Sequence, residues 1–305
     1  MLDENKMKKY DVYSYGVISS STLYLLKDQF LQKSGYSEII KKYKNIGGEA
    51  ANASISLARL GLKVKLNGNW INPDNDAIFL KEIFRKNKID ISRILFRKCQ
   101  SPKEALIVDS DSRTILGTYS KLLKSKKWNI PKKEDIENAK IICLDPFFGK
   151  ESLKVAEYAK KFHKPIVTID CKFNSSIFRL SSAAIISEEY LKDNYPKQKI
   201  SKMADKYLKN SAGTVILTFG YKKILYSSKG KKYKGFTPFK IKSIDTTGAG
   251  DSFRAGIIYG ILKKWPIEKT IKFSSALAAI VCQTIPGVLN SPNRDKILKF
   301  IEKYN

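Results

Sequence analysis

Asp245-Thr246-Thr247-Gly248-Ala249-Gly250-Asp251-Ser252-Phe253 decides how this chain is read. Before it stands Phe239-Lys240-Ile241-Lys242-Ser243-Ile244, whose alternation predicts a strand. After it the apolar run 252–262 predicts a helix. Glycines at 248 and 250 let backbone pass close to a ligand, and amide N–H groups at a helix start favour an anion. Asp251 sits at that same start. A carboxylate beside an anion hole is poorly suited to hold phosphate alone. It is well placed to take a proton from a hydroxyl that attacks phosphate. The stretch therefore reads as the centre of a phosphoryl-transfer site, against the alternative of an ordinary strand–turn–helix junction.

The flanking sequence supplies a suitable frame. Ile141–Asp145, Ile166–Asp170, Ala183–Ile186 and Thr214–Thr218 read as buried strands, with helical periodicity between them. The 12–19 stretch reads as the first strand, and 64–69 as another. Such alternation predicts an α/β fold: a mostly parallel sheet covered on both faces. Ligands bind at strand C-terminal ends in such sheets, where Asp145, Asp170, Thr218 and Asp245 fall. Two regions, about 20–46 and 101–126, break the alternation and are read as a small β-rich lid on a single domain spanning 1–305.

Bulk composition narrows the classes. The 305 residues are 43% hydrophobic, ordinary for a globular chain. No apolar run approaches the roughly 18 residues of a membrane span, and residues 1–10 lack a signal-peptide core, so cytoplasmic residence is the expectation. Cys99, Cys143, Cys171 and Cys282 are widely spaced and indicate neither zinc nor disulfides. His163 lies between a helix and a strand and reads as a loop residue. The formal charge of +28 permits nucleic-acid attraction, but the lysines are dispersed and no nucleic-acid motif appears. No nucleic-acid partner is expected.

The full 245–253 run resembles the C-terminal signature of the ribokinase-like (PfkB) carbohydrate kinases. The resemblance implies a three-layer α/β/α fold with a lid, and pairing of two copies through that lid. It implies ATP and Mg²⁺ as cofactors and a small sugar-like acceptor. It makes Asp251 the catalytic base, with the Gly248, Ala249 and Gly250 backbone stabilising the transferring phosphoryl group. Gly47-Gly48-Glu49-Ala50-Ala51-Asn52 is similar to the family's N-terminal Gly-Gly-x-x-x-Asn element, which places Gly47, Gly48, Glu49 and Asn52 against the acceptor. Arg113 would reach the phosphates from the lid, with Lys172 a further candidate. Thr218 and Gly220 resemble part of the family's nucleotide loop, although Lys223 replaces its second glycine. Ala279, Cys282 and Gly287 fall where family members wall the adenine, and Asp245 and Thr247 where many hold a monovalent cation such as K⁺.

Two departures stand out. Family sugar kinases carry an Asp soon after the first strand's glycine; here Ser21 or Thr22 would take its place. Losing that charge would ease entry of an anionic acceptor. The magnesium-organising Asn-x-x-Glu reads Ser187-Glu188-Glu189-Tyr190. The expected activity is ATP-dependent phosphorylation of a sugar or sugar acid. The alternatives are a nucleoside acceptor, or a silent ligand-binding protein of kinase ancestry.

Overall fold

The computed structural model describes residues 9–30, 35–109, 112–211, 213–228 and 231–304. Twelve strands form in chain order: β1 (Tyr10–Gly16), β2 (Ser19–Leu26), β3 (Ile39–Gly47), β4 (Val64–Gly68), β5 (Lys103–Val108), β6 (Arg113–Gly117), β7 (Ala139–Leu144), β8 (Ile166–Ile169), β9 (Ala183–Ser187), β10 (Thr214–Thr218), β11 (Ile224–Ser228) and β12 (Lys234–Phe236). The main sheet has eight strands in the order β12-β11-β10-β9-β8-β7-β1-β4. From β10 to β4 every pairing is parallel, and β11 and β12 add an antiparallel edge.

The strands read as continuous apolar runs because both faces are covered. Alternate residues go to opposite sides. Val12, Leu66, Ile141 and Val167 join one core with Ala255, Ile258 and Leu277, while Tyr13, Tyr15, Ile142 and Leu144 join another with Val155 and Phe148. The helices Ala249–Leu262 and Ile267–Cys282 lie against each other on the first face. Gly256 permits their approach, since a Cβ there would stand 2.6 Å from Ser274 Cα. Among the described residues no helix is long and apolar enough to cross a membrane.

A second sheet, β3-β2-β5-β6, stands apart. Its central pair β2–β5 is parallel and the outer pairs are antiparallel. Leu23, Leu106 and Val108 form its small apolar cluster, together with Leu25, Tyr43 and Ile285.

Several expectations need correction. The 239–244 segment is not a strand: Ile244 and Asp245 donate their amides to Cys282 O at 2.8 and 3.2 Å, at the end of a helix. Its alternation serves a different packing, with Phe239 set edge-on against Phe236 and Phe300. Asp245 therefore sits in a loop rather than at a strand end. The first strand ends at Gly16, and Ser19 begins the second sheet. Within the region read as β-rich over about 101–126, β6 stops at Gly117 and Tyr119 opens a helix, Tyr119–Ser125.

One buried ion pair ties these layers together. Asp145 follows β7, and Arg254 lies in the helix Ala249–Leu262; both side chains are 0% exposed. Arg254 Nη1 donates to Asp145 Oδ1 at 2.6 Å, and Nη2 to the Glu49 carbonyl at 2.6 Å. Asp145 Oδ2 accepts the amides of Val17 at 2.9 Å and Ala50 at 3.0 Å. Gly16 is required beside it, because a Cβ there would overlap that carboxylate. Removing one partner of such a pair costs about 3–5 kcal/mol, since the other charge is left buried and alone. Urea unfolding of Arg254→Met should show a loss of that order. The double variant Arg254→Met/Asp145→Asn should recover part of it, with a coupling of at least about 1 kcal/mol. Simple additivity would show that the pair is not coupled.

Candidate active site

Asp251 lies in the first turn of the helix Ala249–Leu262, capped by Gly248 at φ 72°. That left-handed turn is open to glycine, and a side chain at 248 would also run into Val288. Asn52, from the helix Glu49–Arg59, donates through Nδ2 to Asp251 Oδ2 at 3.0 Å. Arg254 Nη2 stands 3.8 Å from Asp251 Oδ1, one helical turn on. Burial pushes the Asp251 carboxyl up to about 7, against the pull of Arg254 and the Asn52 hydrogen bond. Glu49 is also held well above the ordinary carboxylate range, by burial and by the nearby charges of Asp145 and Asp251. The Ala249 amide already donates to Thr246 O at 3.2 Å, so it closes a turn rather than standing free for an anion.

The two glycines before Asn52 are positions of close approach. Gly48 has φ 86°, and a Cβ there would collide with the Val17 carbonyl. A Cβ on Gly47 would overlap both Ser19 Oγ and Glu104 Oε2. Glu104, on β5, was not legible as a site residue, yet it faces this floor. Ser19 Oγ donates to Glu104 Oε1 at 3.0 Å, and Tyr119 OH donates to the same oxygen. Ser21 stands opposite Glu104 in the β2–β5 register. Burial raises the Glu104 carboxyl, and the Ser19 and Ser21 hydroxyls oppose that rise. An acid alternating with Leu106 and Val108 on the inner side of a strand was the available signal. Ser20 points the other way and donates to Asp76 Oδ2 at 3.0 Å.

The loop before the helix holds a second group. Asp245 Oδ1 accepts the Thr247 amide at 2.8 Å and its hydroxyl at 2.6 Å. Asp245 Oδ2 is buried with no hydrogen-bond partner. Arg113, on β6, donates through Nη1 to Thr246 O at 2.9 Å and lies 4.0 Å from Glu189. The second sheet thus touches the loop that leads to Asp251.

Thr218 ends β10, and Gly220 follows in a turn at φ 57°. Ala279 and Cys282 are buried on the helix Ile267–Cys282. Gly287 makes a close approach, since a Cβ there would stand 2.7 Å from the Val281 carbonyl. Lys172 is exposed. Ser187 caps the helix Glu188–Asn194 by accepting the Tyr190 amide, while its own amide and hydroxyl donate to Asp170 at 2.8 and 3.0 Å. Glu188 pairs with Lys192 at 3.0 Å, leaving Glu189 as the exposed acid of that element. The structure therefore brings Gly47, Gly48, Glu49, Asn52, Ser21 and Asp251 into one neighbourhood. It adds Ser19, Glu104, Tyr119, Asp145 and Arg254.

The chain resembles known proteins along most of its length. The chain is 26% identical over 294 residues to a 5-dehydro-2-deoxygluconokinase of Geobacillus thermodenitrificans, covering 87% of this chain and 86% of the relative. It is 26% identical over 284 residues to the ribokinase of Haemophilus influenzae, covering 84% and 87%. Among solved structures, Arabidopsis thaliana ribokinase complexed with ribose and ATP matches with TM-score 0.78 at 18% identity, over 96% of this chain and 99% of that one. A chain of the same fold from E. coli, solved with ATP and Mg²⁺, matches with TM-score 0.77 at 14% identity, over 96% and 99%. The family model described as pfkB family carbohydrate kinase matches residues 22–294, and the chain belongs to that family.

Proposed function

We propose that this chain transfers the γ-phosphoryl group of ATP to a primary hydroxyl of a sugar or sugar acid. The carrying observation is Asp251: a desolvated carboxylate at a helix start, oriented by Asn52 Nδ2. As the hydroxyl oxygen attacks phosphorus, its proton passes to Asp251 and the bond to the ADP oxygen breaks. The Gly250 and Asp251 amides and the helix dipole face the charge that develops on the phosphoryl oxygens. Thr218, Gly220, Ala279, Cys282 and Gly287 line the nucleotide side, and Arg113 approaches it from the second sheet. A cytoplasmic setting belongs to the same reading.

Among the described residues no group of three or more His, Cys, Asp or Glu side chains could cage a metal ion. Mg²⁺ would accordingly be held chiefly by nucleotide phosphates and water, with Glu189 the nearest exposed acid of the degenerate element. Bound there, it neutralises phosphate charge. A monovalent cation fits Asp245, whose buried Oδ2 lacks a partner. The exposed Ile39, Ile40, Ile115 and Leu116 of the second sheet would be covered if two copies paired through it.

Asp251→Asn should retain ATP binding, read by calorimetry, and lose at least about 10²-fold in turnover with a verified sugar. Near-native turnover would remove Asp251 from the base role. In the wild type, kcat/KM should fall as pH drops through about 7, where Asp251 takes up its proton. A flat profile between pH 6 and 8 would contradict this. The same shift has a stability sign. A carboxyl raised in the folded state costs nothing below its unfolded value, and its cost grows until pH passes the folded value. Asp251→Asn should therefore melt above the wild type at pH 8, by roughly 2 °C or more for each kcal/mol removed. That gain should vanish in acid, and a gain equal at both pH values would point to packing instead. Sedimentation should show a dimer that Leu116→Lys weakens; a wild-type monomer at micromolar concentration would discount pairing through the second sheet.

A further inference from the structure

We infer that Glu104 reads the acceptor, and that this pocket takes a neutral polyhydroxyl sugar in preference to a sugar acid. The inference rests on the kinase reading and narrows it. The carboxylate missing after β1 is supplied from β5. Glu104 is opposite Ser21 in register, is oriented through Oε1 by Ser19 and Tyr119, and sets Oε2 against the Gly47 backbone. Two further oxygens stand unpaired beside this floor. Glu49 Oε2 and Asn52 Oδ1 are buried with no hydrogen-bond partner. Buried acceptors without donors are costly, and sugar hydroxyls supply donors. A ligand carboxylate supplies none.

Charge points the same way. Glu49, Glu104 and Asp251 border the floor, and Asp145 lies beneath them. Beside them Arg254 is 0% exposed; its terminal nitrogens donate to Asp145 and the Glu49 carbonyl, and its Nε has no hydrogen-bond partner. Arg113 is occupied at Thr246, on the nucleotide side. A sugar carboxylate would enter among carboxyls that burial and mutual repulsion already hold above their ordinary range, a juxtaposition that binding sites use to reject ligands. This would set the chain apart from relatives named for a dehydrodeoxygluconate.

The test is a coupled ADP-release assay on pairs that keep the terminal primary hydroxyl and differ by a carboxylate at C1: D-fructose against 2-keto-D-gluconate, and D-ribose against D-ribonate. The neutral member of at least one pair should have the higher kcat/KM, by about 10²-fold or more. With that sugar, Glu104→Gln should raise KM about tenfold while kcat changes less than about threefold. It should also narrow discrimination against the acid, and Glu104→Asp should restore part of the KM. Melting curves confirm that each variant is folded. A wild-type preference for the acid members would overturn this inference and leave the kinase reading intact, as would a Glu104→Gln variant with unchanged KM. No transfer to any sugar, with ATP bound, would overturn both.

Discussion

The Asp145–Arg254 pair is the constraint on which the rest of the molecule depends. A fully buried ion pair is expensive to desolvate and survives only if its remaining valences are filled. Here the amides of Val17 and Ala50 fill those of Asp145 and the Glu49 carbonyl takes one from Arg254, whose Nε is left without a partner. Those groups come from the junction after β1 and from the start of the helix Glu49–Arg59, while the pair itself joins β7 to the helix Ala249–Leu262. Four segments are thus fixed at the sheet's C-terminal edge by one pair of charges. Arg254 lies three residues after Asp251, on the same side of the helix. The group that holds the layers together therefore also sets the field at Asp251.

That double duty explains the state of Asp251. Burial alone would leave it protonated and useless as a base; full solvation would leave it ionised but weak. Arg254 and Asn52 draw it back to about 7. A base poised near the working pH combines a useful ionised fraction with a useful driving force for proton transfer. The fold bears the desolvation as a local loss of stability, as functional sites commonly do.

The parts of this design that were legible in the sequence are the local ones. The 245–253 run, the Gly47–Asn52 element and the buried parallel strands each carry their pattern within about a dozen residues. What escaped is nonlocal. Arg254 looked like one polar residue in an apolar helix, and its partner is 109 positions away. Glu104 looked like one side of an ordinary strand, and its partner Ser19 is 85 positions away. Neither charge announces burial without the tertiary contact that permits it. The 239–244 segment failed in the opposite way. Its period of two was real, but packing against the C-terminal helix rather than a strand ladder accounts for it.

The second sheet shows how register converts sequence into specificity. Along β2 and β5, paired residues share a face, so Ser21 with Glu104 and Leu23 with Leu106 line one side. That side is polar next to Gly47 and apolar farther out, where Leu23, Leu106 and Val108 meet Ile285. One strand pair thus carries both Glu104 and the apolar surface that packs against Ile285. Arg113, opposite Val108 on β6, adds a polar clasp to the Thr246 carbonyl. A register slip of one residue would turn Glu104 away from the floor and the leucines out to solvent together. The placement of Glu104 and the seating of this sheet are therefore not separable by drift of the strand, only by substitution at Glu104 itself.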